Sequence, residues 1–388
     1  MSDAVIVATG RSPIGRAFKG SLVNMRADDL AAYVVSEVLK RLPQLEAGSV
    51  DDLICGCGLP GGEQGFNIGR VISLLAGVGA PGTTITRYCA SSLQAMRMAY
   101  HAIAAGEGDT FIVAGVESVS RYMNGSSDMP HCQNERFAGG NAEKLPNVYI
   151  QMGDTAENVA DREKITREEM DAFALSSQNR AVAAQESGFF DREIIPVPTS
   201  LSSADLLTRD DGPRPNSSLE KLASLAPAFR EGGSVTAGNS CPLNDGAAAV
   251  VIMSAERASQ LGIAPLARIV ATGVSALDPE YMGLGPIEAS RQAMARARMT
   301  IDDMDIVEIN EAFAAQVIPS ARGIGIDPMS DRLNPFGGAI ALGHPFGMTG
   351  ARILCTLING LKERSGTLGL ETMCVAGGMG MAMVVERL

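Results

Sequence analysis

The stretch Ile6-Val-Ala-Thr-Gly10 recurs identically as Ile269-Val-Ala-Thr-Gly273, at an offset of 263 residues. A second short match, Val113-Ala114-Gly115 with Val375-Ala376-Gly377, has nearly the same offset of 262 residues. Each pentapeptide is followed by a loop and then by a helical pattern of apolar residues, which is typical of parallel βα units. The sequence therefore predicts a duplicated α/β chain with two related halves.

The two halves differ by one insertion. Gly246-Ala-Ala-Ala-Val250 resembles Gly380-Met-Ala-Met-Val384 at an offset of only 134, which leaves about 128 additional residues in the first half. This segment contains proline-rich turns and polar helices, and Thr166-Arg-Glu-Glu169 is a capping-box helix start. The predicted division is an N-terminal half, an inserted subdomain and a C-terminal half, formed by residues 1–116 plus 246–265, 117–245 and 266–388.

Two predicted helices carry almost no charge. Ser91–Ala105 contains only Arg97, and Met348–Gly360 contains only Arg352. A helix that is apolar nearly all round is normally buried on every side. Because the two arginines are 255 residues apart, we expect the helices to occupy equivalent places in the two halves. Packing them together at the centre, with a sheet and further helices outside each, gives a five-layer αβαβα sandwich.

Composition excludes several functional classes. The chain has 388 residues, 46% of them hydrophobic, and its net charge of −12 argues against nucleic-acid binding. Seven Cys residues form no disulfide framework and are expected to be cytosolic thiols. The N-terminus lacks a basic leader, which favours a cytoplasmic protein. The longest uncharged stretch, Leu333–Ala351, contains five Gly and two Pro, so no membrane span is expected.

A Cys and a His are candidates for nucleophilic chemistry. Cys89 lies in Thr86-Arg-Tyr-Cys-Ala-Ser-Ser92, where a helix N-terminus favours the reactive thiolate. A small buried hydrophobic residue is the alternative interpretation, which is the usual fate of a free Cys. His344 precedes the second uncharged helix, 255 residues after Cys89. If a pseudo-twofold axis relates the halves, the two side chains meet, and a Cys–His pair activates a thiol.

Two further segments end predicted strands. Cys374 lies where a strand enters a Gly-rich turn, whose backbone N–H groups are suited to an oxyanion in a thioester reaction. An inert Cys beside a tight turn is the alternative. Asn310-Glu-Ala-Phe313 follows the predicted strand Ile306–Ile309, at the strand end where open α/β sheets carry function.

The remaining Cys and His residues receive structural interpretations. Cys55-Gly-Cys57 lies in an apolar strand, and His101 is predicted to be a satisfied core residue of the buried helix. His131-Cys132 has no second ligand pair nearby, so no metal site is expected. No glycine pattern for a dinucleotide or nucleoside triphosphate follows a strand.

The segments around Cys89, Asn310–Phe313, Asn334–Gly350 and Cys374 resemble the four signature blocks of the thiolase family, in the family's order and spacing. The resemblance covers essentially the whole chain, insertion included. It implies a two-domain α/β fold with a large loop domain, and an acyltransferase that cleaves a 3-ketoacyl-CoA with coenzyme A or runs the reverse condensation.

The resemblance also implies a role for each site residue. Cys89 would attack the keto carbon while His344 takes its proton, and Cys374 would protonate the acetyl-CoA enolate or, in condensation, abstract the α-proton. One oxyanion would rest on His344 and a water held by Asn310. The other would rest on the backbone N–H groups of Cys89 and Gly380, because each developing charge needs its own donors.

Coenzyme A is implied as a substrate, and no permanently bound cofactor is expected. By analogy the inserted subdomain binds CoA, and local cations would offset the acidic net field. The resemblance assigns CoA contacts to Arg214, Lys221, Thr236, Ala237, Gly238 and Met152. The family further implies a homodimer or a homotetramer.

Two departures from the short-chain biosynthetic pattern leave the substrate open. Gln151 stands where that pattern has His before Met152-Gly153, and Cys241-Pro242 replaces a Ser-Gly pair. Both leave room for longer or bulkier acyl chains, including ring-bearing ones. The first is similar to degradative thiolases, which implies fatty-acid β-oxidation or steroid degradation. A biosynthetic acetoacetyl-CoA thiolase is the first alternative. A decarboxylating ketoacyl synthase, a non-catalytic lipid-binding protein of this fold and an unrelated redox or metal protein are more remote.

Overall fold

A computed structural model describes residues 3–122, 130–137, 145–200 and 203–388. The strands within these residues are β1 Ala4–Arg11, β2 Gly15–Arg16, β3 Asp52–Cys57, β4 Gly82–Ile85, β5 Thr110–Ser118, β6 Val197–Pro198, β7 Leu206–Leu207, β8 Asn244–Ser254, β9 Ala267–Ala276, β10 Ile306–Ile309, β11 Leu368–Val375 and β12 Met379–Arg387. The α-helices are α1 Ala27–Leu39, α2 Ile68–Leu75, α3 Ser91–Ala105, α4 Val119–Tyr122, α5 Met152–Glu163, α6 Arg167–Glu186, α7 Leu219–Ala223, α8 Ala255–Gln260, α9 Gly285–Ala297, α10 Ala314–Ile324, α11 Ala339–Leu342 and α12 Thr349–Glu363.

The large sheet repeats one strand arrangement twice. Its order is β10-β11-β12-β9-β1-β8-β5-β3-β4. In the first half β3, β4 and β5 are parallel and β8 is antiparallel to β5 and β1. In the second half β10 and β11 are parallel and β12 is antiparallel to β11 and β9. The two recurring pentapeptides lie in β1 and β9, which pair where the halves join.

The five layers arise because both faces of the sheet are apolar and each is covered by helices. Both faces of the sheet are buried, because successive strand residues belong to different cores: Ile6 packs in the central core, and Val5 and Val7 pack in an outer core. Helices α3 and α12 fill the central core between the two sheet halves. Helices α1 and α2 cover the outer face of the first half, and α9 and α10 cover that of the second. The predicted αβαβα sandwich is confirmed.

The helices α3 and α12 meet closely at their first turns. A Cβ on Gly350 would stand 2.6 Å from the backbone nitrogen of Leu93, so only glycine permits this approach. The N–H of Ala351 donates to Oγ of Ser92 at 2.9 Å. This contact brings together the chain segments that precede the two helices.

The offset of 255 residues predicted between equivalent positions of the two halves is wrong by three residues at these helices. Both helices have 15 residues, and their first residues, Ser91 and Thr349, are 258 positions apart rather than 255. Arg97 is therefore not the counterpart of Arg352. The match of Val113 with Val375 also fails, because Val113 lies inside β5 whereas Val375 ends β11. Loop lengths differ between the halves, so no single offset holds throughout.

The segment between β5 and β8 carries α4 to α7 and is anchored to the first half by buried ion pairs. Its longest helix, α6, begins with the predicted capping box, in which Thr166 and Glu169 exchange hydrogen bonds. Arg11 in β1 donates to Glu193 at 2.7 Å and to Asp210 at 2.8 Å, and all three side chains are fully buried. These contacts fix the inserted segment against the sheet.

His101 and the two Cys residues of β3 differ in their burial. His101 is exposed rather than a core residue, because it lies on the side of α3 that faces away from the central core. Cys55 and Cys57 are buried in β3 as predicted. Among the helices of the described residues, none combines the length and the hydrophobicity that a membrane crossing requires.

Candidate active site

Cys89 sits in a short 3₁₀ turn, Tyr88–Ala90, immediately before α3. The turn packs against β11 and α12. Tyr88 has a positive φ of 43°, a strained conformation for a residue with a side chain. Ser91 holds the turn, because its Oγ accepts from the N–H of Arg87 at 3.0 Å and donates to the carbonyl of Tyr88 at 2.6 Å.

The Cys89 thiol is buried and protonated at rest. Burial raises its pKa to about 12, although hydrogen bonds from the backbone N–H groups of Cys89 and Ala376 act to lower the pKa. The backbone N–H groups at this turn favour the thiolate, as expected from the sequence, but desolvation outweighs them in the free protein. A base must remove this proton before the sulfur can act as a nucleophile.

His344 is held in one tautomer by two hydrogen bonds. Its Nδ1 lies 2.6 Å from Oγ1 of Thr349, and that hydroxyl lies 2.8 Å from the carbonyl of Pro345. The carbonyl can only accept, so Thr349 donates to it and accepts from Nδ1–H. Nε2 consequently bears the lone pair and accepts from the side-chain amide of Asn310 at 3.3 Å.

The imidazole of His344 is neutral. It is 1% exposed, and burial, followed by the nearby charge of Arg352, lowers its pKa to about 3. An unprotonated Nε2 within a buried site is the state required of a general base.

Three thiols lie near one another at this site. The Sγ of Cys374 donates to Oε1 of Gln316 at 3.3 Å. Burial raises the pKa of the Cys374 thiol well above its usual range, and the neighbouring Cys89 and Cys241 act in the same direction. Cys241 was recognised from the sequence only as a departure in the CoA channel, and the fold brings it beside the two candidate catalytic thiols.

Asn310 and the segment before α11 are joined by a buried carboxylate. Glu311 accepts hydrogen bonds from Ser177 at 2.6 Å and from Asn334 at 2.8 Å. Asn334 also pairs with both backbone groups of Ile309. The two polar sequence blocks singled out above are thus parts of one hydrogen-bonded unit.

Gly380 does not have the environment expected of it. It lies inside β12, opposite Cys374 on β11 and Ser275 on β9, so its N–H belongs to the sheet ladder. The N–H that faces the Cys89 thiol is that of Ala376 in the turn after β11. Ala376 therefore takes the position that the sequence analysis gave to Gly380.

The residues expected to contact CoA divide into a buried turn and an exposed group. The N–H of Thr236 donates to Oδ1 of Asn239, and Gly238 lies so close to α7 that a Cβ would stand 2.6 Å from Leu222. Within this turn Thr236 and Gly238 are buried and Ala237 is exposed. The N–H of Cys241 donates to the carbonyl of Ala312, which joins this turn to the Asn310 loop.

The other three expected CoA contacts are on different chain segments from that turn, and Lys221 belongs to α7, which packs against it. Arg214 and Lys221 are exposed and form no ion pair among the described residues. Met152 begins α5 and is partly buried. The neighbouring Gly153 packs under Phe229, where a Cβ would lie 2.0 Å from the ring.

Glu117 is a site residue that the sequence analysis missed. This buried carboxylate, at the end of β5, accepts from the N–H groups of Gly58 at 2.7 Å and Gly347 at 2.9 Å, and from Gln64 at 2.8 Å. Glu117 therefore joins the two halves, because its partner Gly347 is in the second half, three residues after His344. A lone acidic residue in the apolar run of β5 was the available signal. Thr349 was also missed, and nothing in its sequence context distinguishes it.

The comparisons with known proteins agree with this geometry. Residues 4–256 match the thiolase N-terminal domain and residues 263–387 match the thiolase C-terminal domain. The chain belongs to the thiolase family. As a thiolase it is an acyltransferase enzyme, which confirms the resemblance drawn from the four sequence blocks.

Individual relatives span the whole chain. The thiolase is 43% identical over 398 residues to the 3-ketoacyl-CoA thiolase of Bacillus subtilis, with 100% of both chains covered. It is 43% identical over 401 residues to the 3-oxoadipyl-CoA/3-oxo-5,6-dehydrosuberyl-CoA thiolase of Escherichia coli, again with 100% of both covered. The crystal structure of the Bacillus anthracis acetyl-CoA acetyltransferase superposes with a TM-score of 0.90 at 39% identity, covering 100% of this chain and 99% of that one.

Metal chemistry has no ligand set in the described part of this thiolase. No group of three or more His, Cys, Asp or Glu residues there could hold an ion. His131 and Cys132 are exposed residues of a short 3₁₀ turn, whereas the two candidate catalytic thiols are buried.

Proposed function

We propose that this thiolase cleaves a 3-ketoacyl-CoA with coenzyme A, giving acetyl-CoA and a shortened acyl-CoA, and that it also catalyses the reverse condensation. The observation that carries the proposal is the neutral His344, whose Nε2 lone pair is fixed by Thr349 and Asn310 in a buried site. A protonated thiol, Cys89, needs such a base. The Cys89 sulfur bonds to the keto carbon, the bond between the α and keto carbons breaks, and the enolate of acetyl-CoA leaves.

Two sets of donors would stabilise the oxyanions in this proposal. After proton transfer the Nε2–H of His344 becomes a donor to the first oxyanion. Oδ1 of Asn310 is buried without a hydrogen-bond partner among the described residues, which suits a water that completes this set. The N–H groups of Cys89 and Ala376 form the second set, since both act on the Cys89 sulfur.

Cys374 is the proposed acid and base at the α-carbon. It protonates the enolate in cleavage, and abstracts the α-proton in condensation. Its thiol is buried and donates a hydrogen bond to Oε1 of Gln316, which orients the sulfur. In the second step the sulfur of CoA bonds to the acyl carbon and the bond from that carbon to Cys89 breaks. The thiol proton of CoA passes to the Cys374 thiolate, and His344 returns its proton to Cys89.

We further propose that CoA binds to the inserted segment, with residues 117–245 as a subdomain between the halves 1–116 plus 246–265 and 266–388. The turn of Thr236, Ala237 and Gly238, together with Met152, would line the pantetheine channel. Arg214 and Lys221 would face the nucleotide end, since both are exposed cations on an acidic protein.

For the substrate we propose a degradative role, on a chain longer than acetoacetyl. Relatives named 3-ketoacyl-CoA thiolase and 3-oxoadipyl-CoA thiolase support this, as do Gln151 and Cys241-Pro242 in the channel. Fatty-acid β-oxidation and steroid degradation are both compatible with it. The structural likeness to an acetyl-CoA acetyltransferase favours the biosynthetic acetoacetyl-CoA alternative. A non-catalytic lipid-binding protein would not need the buried Cys89, His344 and Cys374 together.

The test is thiolysis kinetics over a series from acetoacetyl-CoA to long-chain, ω-carboxylated and steroid-type 3-ketoacyl-CoAs. The degradative proposal expects kcat/KM to be highest beyond acetoacetyl-CoA, whereas a maximum at acetoacetyl-CoA would support the biosynthetic alternative. In the same assay we expect Cys89→Ala to abolish turnover with every substrate. Measurable thiolysis by that variant would reject Cys89 as the nucleophile.

We also propose a cytoplasmic homo-oligomer built on a dimer. β4 is an edge strand of the large sheet, paired only with β3 among the described strands. Beside it Phe66 is 96% exposed, which is unusual for a large apolar side chain. Thr84→Pro, within this edge, is expected to yield monomers in light scattering, and an unchanged mass would contradict the proposed dimer edge.

A further inference from the structure

Three buried charged side chains lie behind the catalytic imidazole. Arg352 on α12, Glu308 on β10 and Glu371 on β11 are each 1% exposed or less. We call these three residues the charge cluster. None of them has a role in the reaction described above, although burying a charge is costly unless the charge is compensated.

The two carboxyl groups of the charge cluster are neighbours by strand register. Glu308 pairs with Glu371 in the parallel ladder between β10 and β11, so their side chains stand on one face, with strands about 4.8 Å apart. On β10 this face carries Ile306, which packs in the central core, and on β11 it carries Met373. Helix α12 covers both strands in that core.

The charge cluster stands directly behind the two hydrogen-bond partners of His344. Asn310 follows Glu308 by two residues and continues the same ladder, since its N–H donates to the carbonyl of Thr372, so both side chains point to one face. Thr349 precedes Arg352 by three residues on α12, which places them one above the other. Of the two hydrogen-bond partners of the imidazole, Asn310 therefore has Glu308 behind it and Thr349 has Arg352 behind it.

Several buried polar atoms of the charge cluster have no hydrogen-bond partner among the described residues, which is unusual. Among the described residues, Nε and Nη1 of Arg352, Oε1 of Glu308 and both carboxyl oxygens of Glu371 have no hydrogen-bond partner. The other charged groups around the cluster are all hydrogen-bonded, and they are Arg11, Arg180, Glu193, Asp210 and Glu311.

We propose that the charge cluster controls the proton affinity of His344, with Arg352 as its cation and only one of the two carboxyl groups of Glu308 and Glu371 ionised. The inference rests on the proposed role of His344 as a base. A positive charge behind the imidazole disfavours imidazolium and so keeps Nε2 unprotonated until Cys89 delivers its proton. A single ionised carboxylate balances Arg352, and two ionised carboxylates on adjacent strands would repel each other. Arg352 is thus a positioning residue that acts on His344 through its charge.

The protonation of these groups agrees with that arrangement. Burial raises the pKa of Glu308 to about 8 and raises that of Glu371 well above its usual range. Burial also lowers the pKa of Arg352, which the carboxylate of Glu308 opposes.

The test is a titration of the histidine Cε1–H signals by NMR, in the full-length protein. The chain has only three His residues, and His344→Asn identifies the signal of interest. At pH 5 we expect Arg352→Met to increase the imidazolium fraction of His344 at least about tenfold over wild type, which corresponds to a rise of about one pKa unit. Arg352→Lys, which restores the charge, is expected to return the signal to its wild-type position.

Arg97→Met is the matched control, because Arg97 lies on the facing helix and lowers the pKa of His101 after the larger effect of burial. This control should move the His101 signal and leave His344 unchanged, whereas Arg352→Met should do the reverse. A His344 signal unchanged in folded Arg352→Met would overturn the proposal. Since the titration needs no turnover, it is independent of whether the thiolysis assignment holds.

A second measurement covers the case in which Arg352→Met does not fold. The protonated carboxyl group of the charge cluster predicts a carboxylic acid band in the infrared spectrum of wild type at neutral pH. In Glu371→Gln, which keeps the shape of the side chain, the one remaining carboxyl group is ionised opposite Arg352, so the wild-type-minus-variant difference spectrum should show one such band. A difference spectrum without that band would reject the proposed protonation of the charge cluster.

Discussion

The tautomer of His344 depends on one hydroxyl, and Thr349→Val removes it with almost no change of shape. Oγ1 of Thr349 accepts from Nδ1–H at 2.6 Å and donates to the carbonyl of Pro345 at 2.8 Å, inside a fully buried side chain. The valine variant leaves the buried Nδ1–H of His344 unpaired, while the carbonyl of Pro345 keeps its hydrogen bond from the N–H of Met348. A buried unpaired donor costs about 1–3 kcal/mol, so we expect a loss of about 1–3 kcal/mol in the free energy of unfolding.

The same substitution releases the imidazole to adopt the tautomer with Nε2 protonated, which cannot take the Cys89 proton. If about 1–2 kcal/mol of preference is lost, kcat/KM for thiolysis falls about 5- to 30-fold, because each 1.36 kcal/mol is a factor of ten. We expect KM for CoA to be unchanged, since Thr349 lies away from the proposed channel. Thr349→Ser, which keeps the hydroxyl, should recover most of the rate.

The assay is steady-state thiolysis of a 3-ketoacyl-CoA, with urea unfolding of each variant as the stability measurement. Thr349→Ser and Thr349→Val can be compared at one temperature at which both are fully folded. A valine variant that retains kcat/KM within about twofold of the serine variant, a difference of only about 0.4 kcal/mol, would refute the tautomer argument.

Three other changes test separate parts of the site. Cys374→Ala should still form acyl-Cys89 but lose exchange of the acetyl-CoA α-protons in deuterated buffer, and retained exchange would exclude Cys374 as the base. Glu117→Ala removes the acceptor of the N–H groups of Gly58, Leu59 and Gly347, so the free energy of unfolding should fall by at least about 3 kcal/mol in urea titration, while a loss below about 1 kcal/mol would contradict its structural role. Because the pKa of His344 is lowered to about 3, its neutral form stabilises the fold above the ordinary value of 6.5 and this stabilisation is lost as pH falls toward 3. Wild type should therefore lose stability relative to His344→Asn across that range, and parallel pH profiles would show that the imidazole is protonated when folded.

Local signals in the sequence were sufficient for individual elements. The capping box at Thr166 begins α6 where predicted, and Ser91–Ala105 is a helix over the predicted residues. Helix α1 ends at Leu39, although the buried apolar pattern continues to Leu42 in the turn that follows. Such features depend on neighbours within a few positions, which sequence periodicity records directly.

The sequence by itself determined the duplication, the layered α/β class and the segments that carry the chemistry, because repeats and apolar periods are properties of the chain. Only the tertiary structure decided which atoms face each other. It replaced Gly380 by Ala376 beside Cys89, and it moved the helix register by three residues. It also placed Glu117 between the halves and the unpaired Arg352 behind His344. Burial and the direction of hydrogen bonds depend on which segments the fold brings together, as when Glu117 accepts from Gly347, 230 residues later in the chain, and no local pattern encodes such contacts.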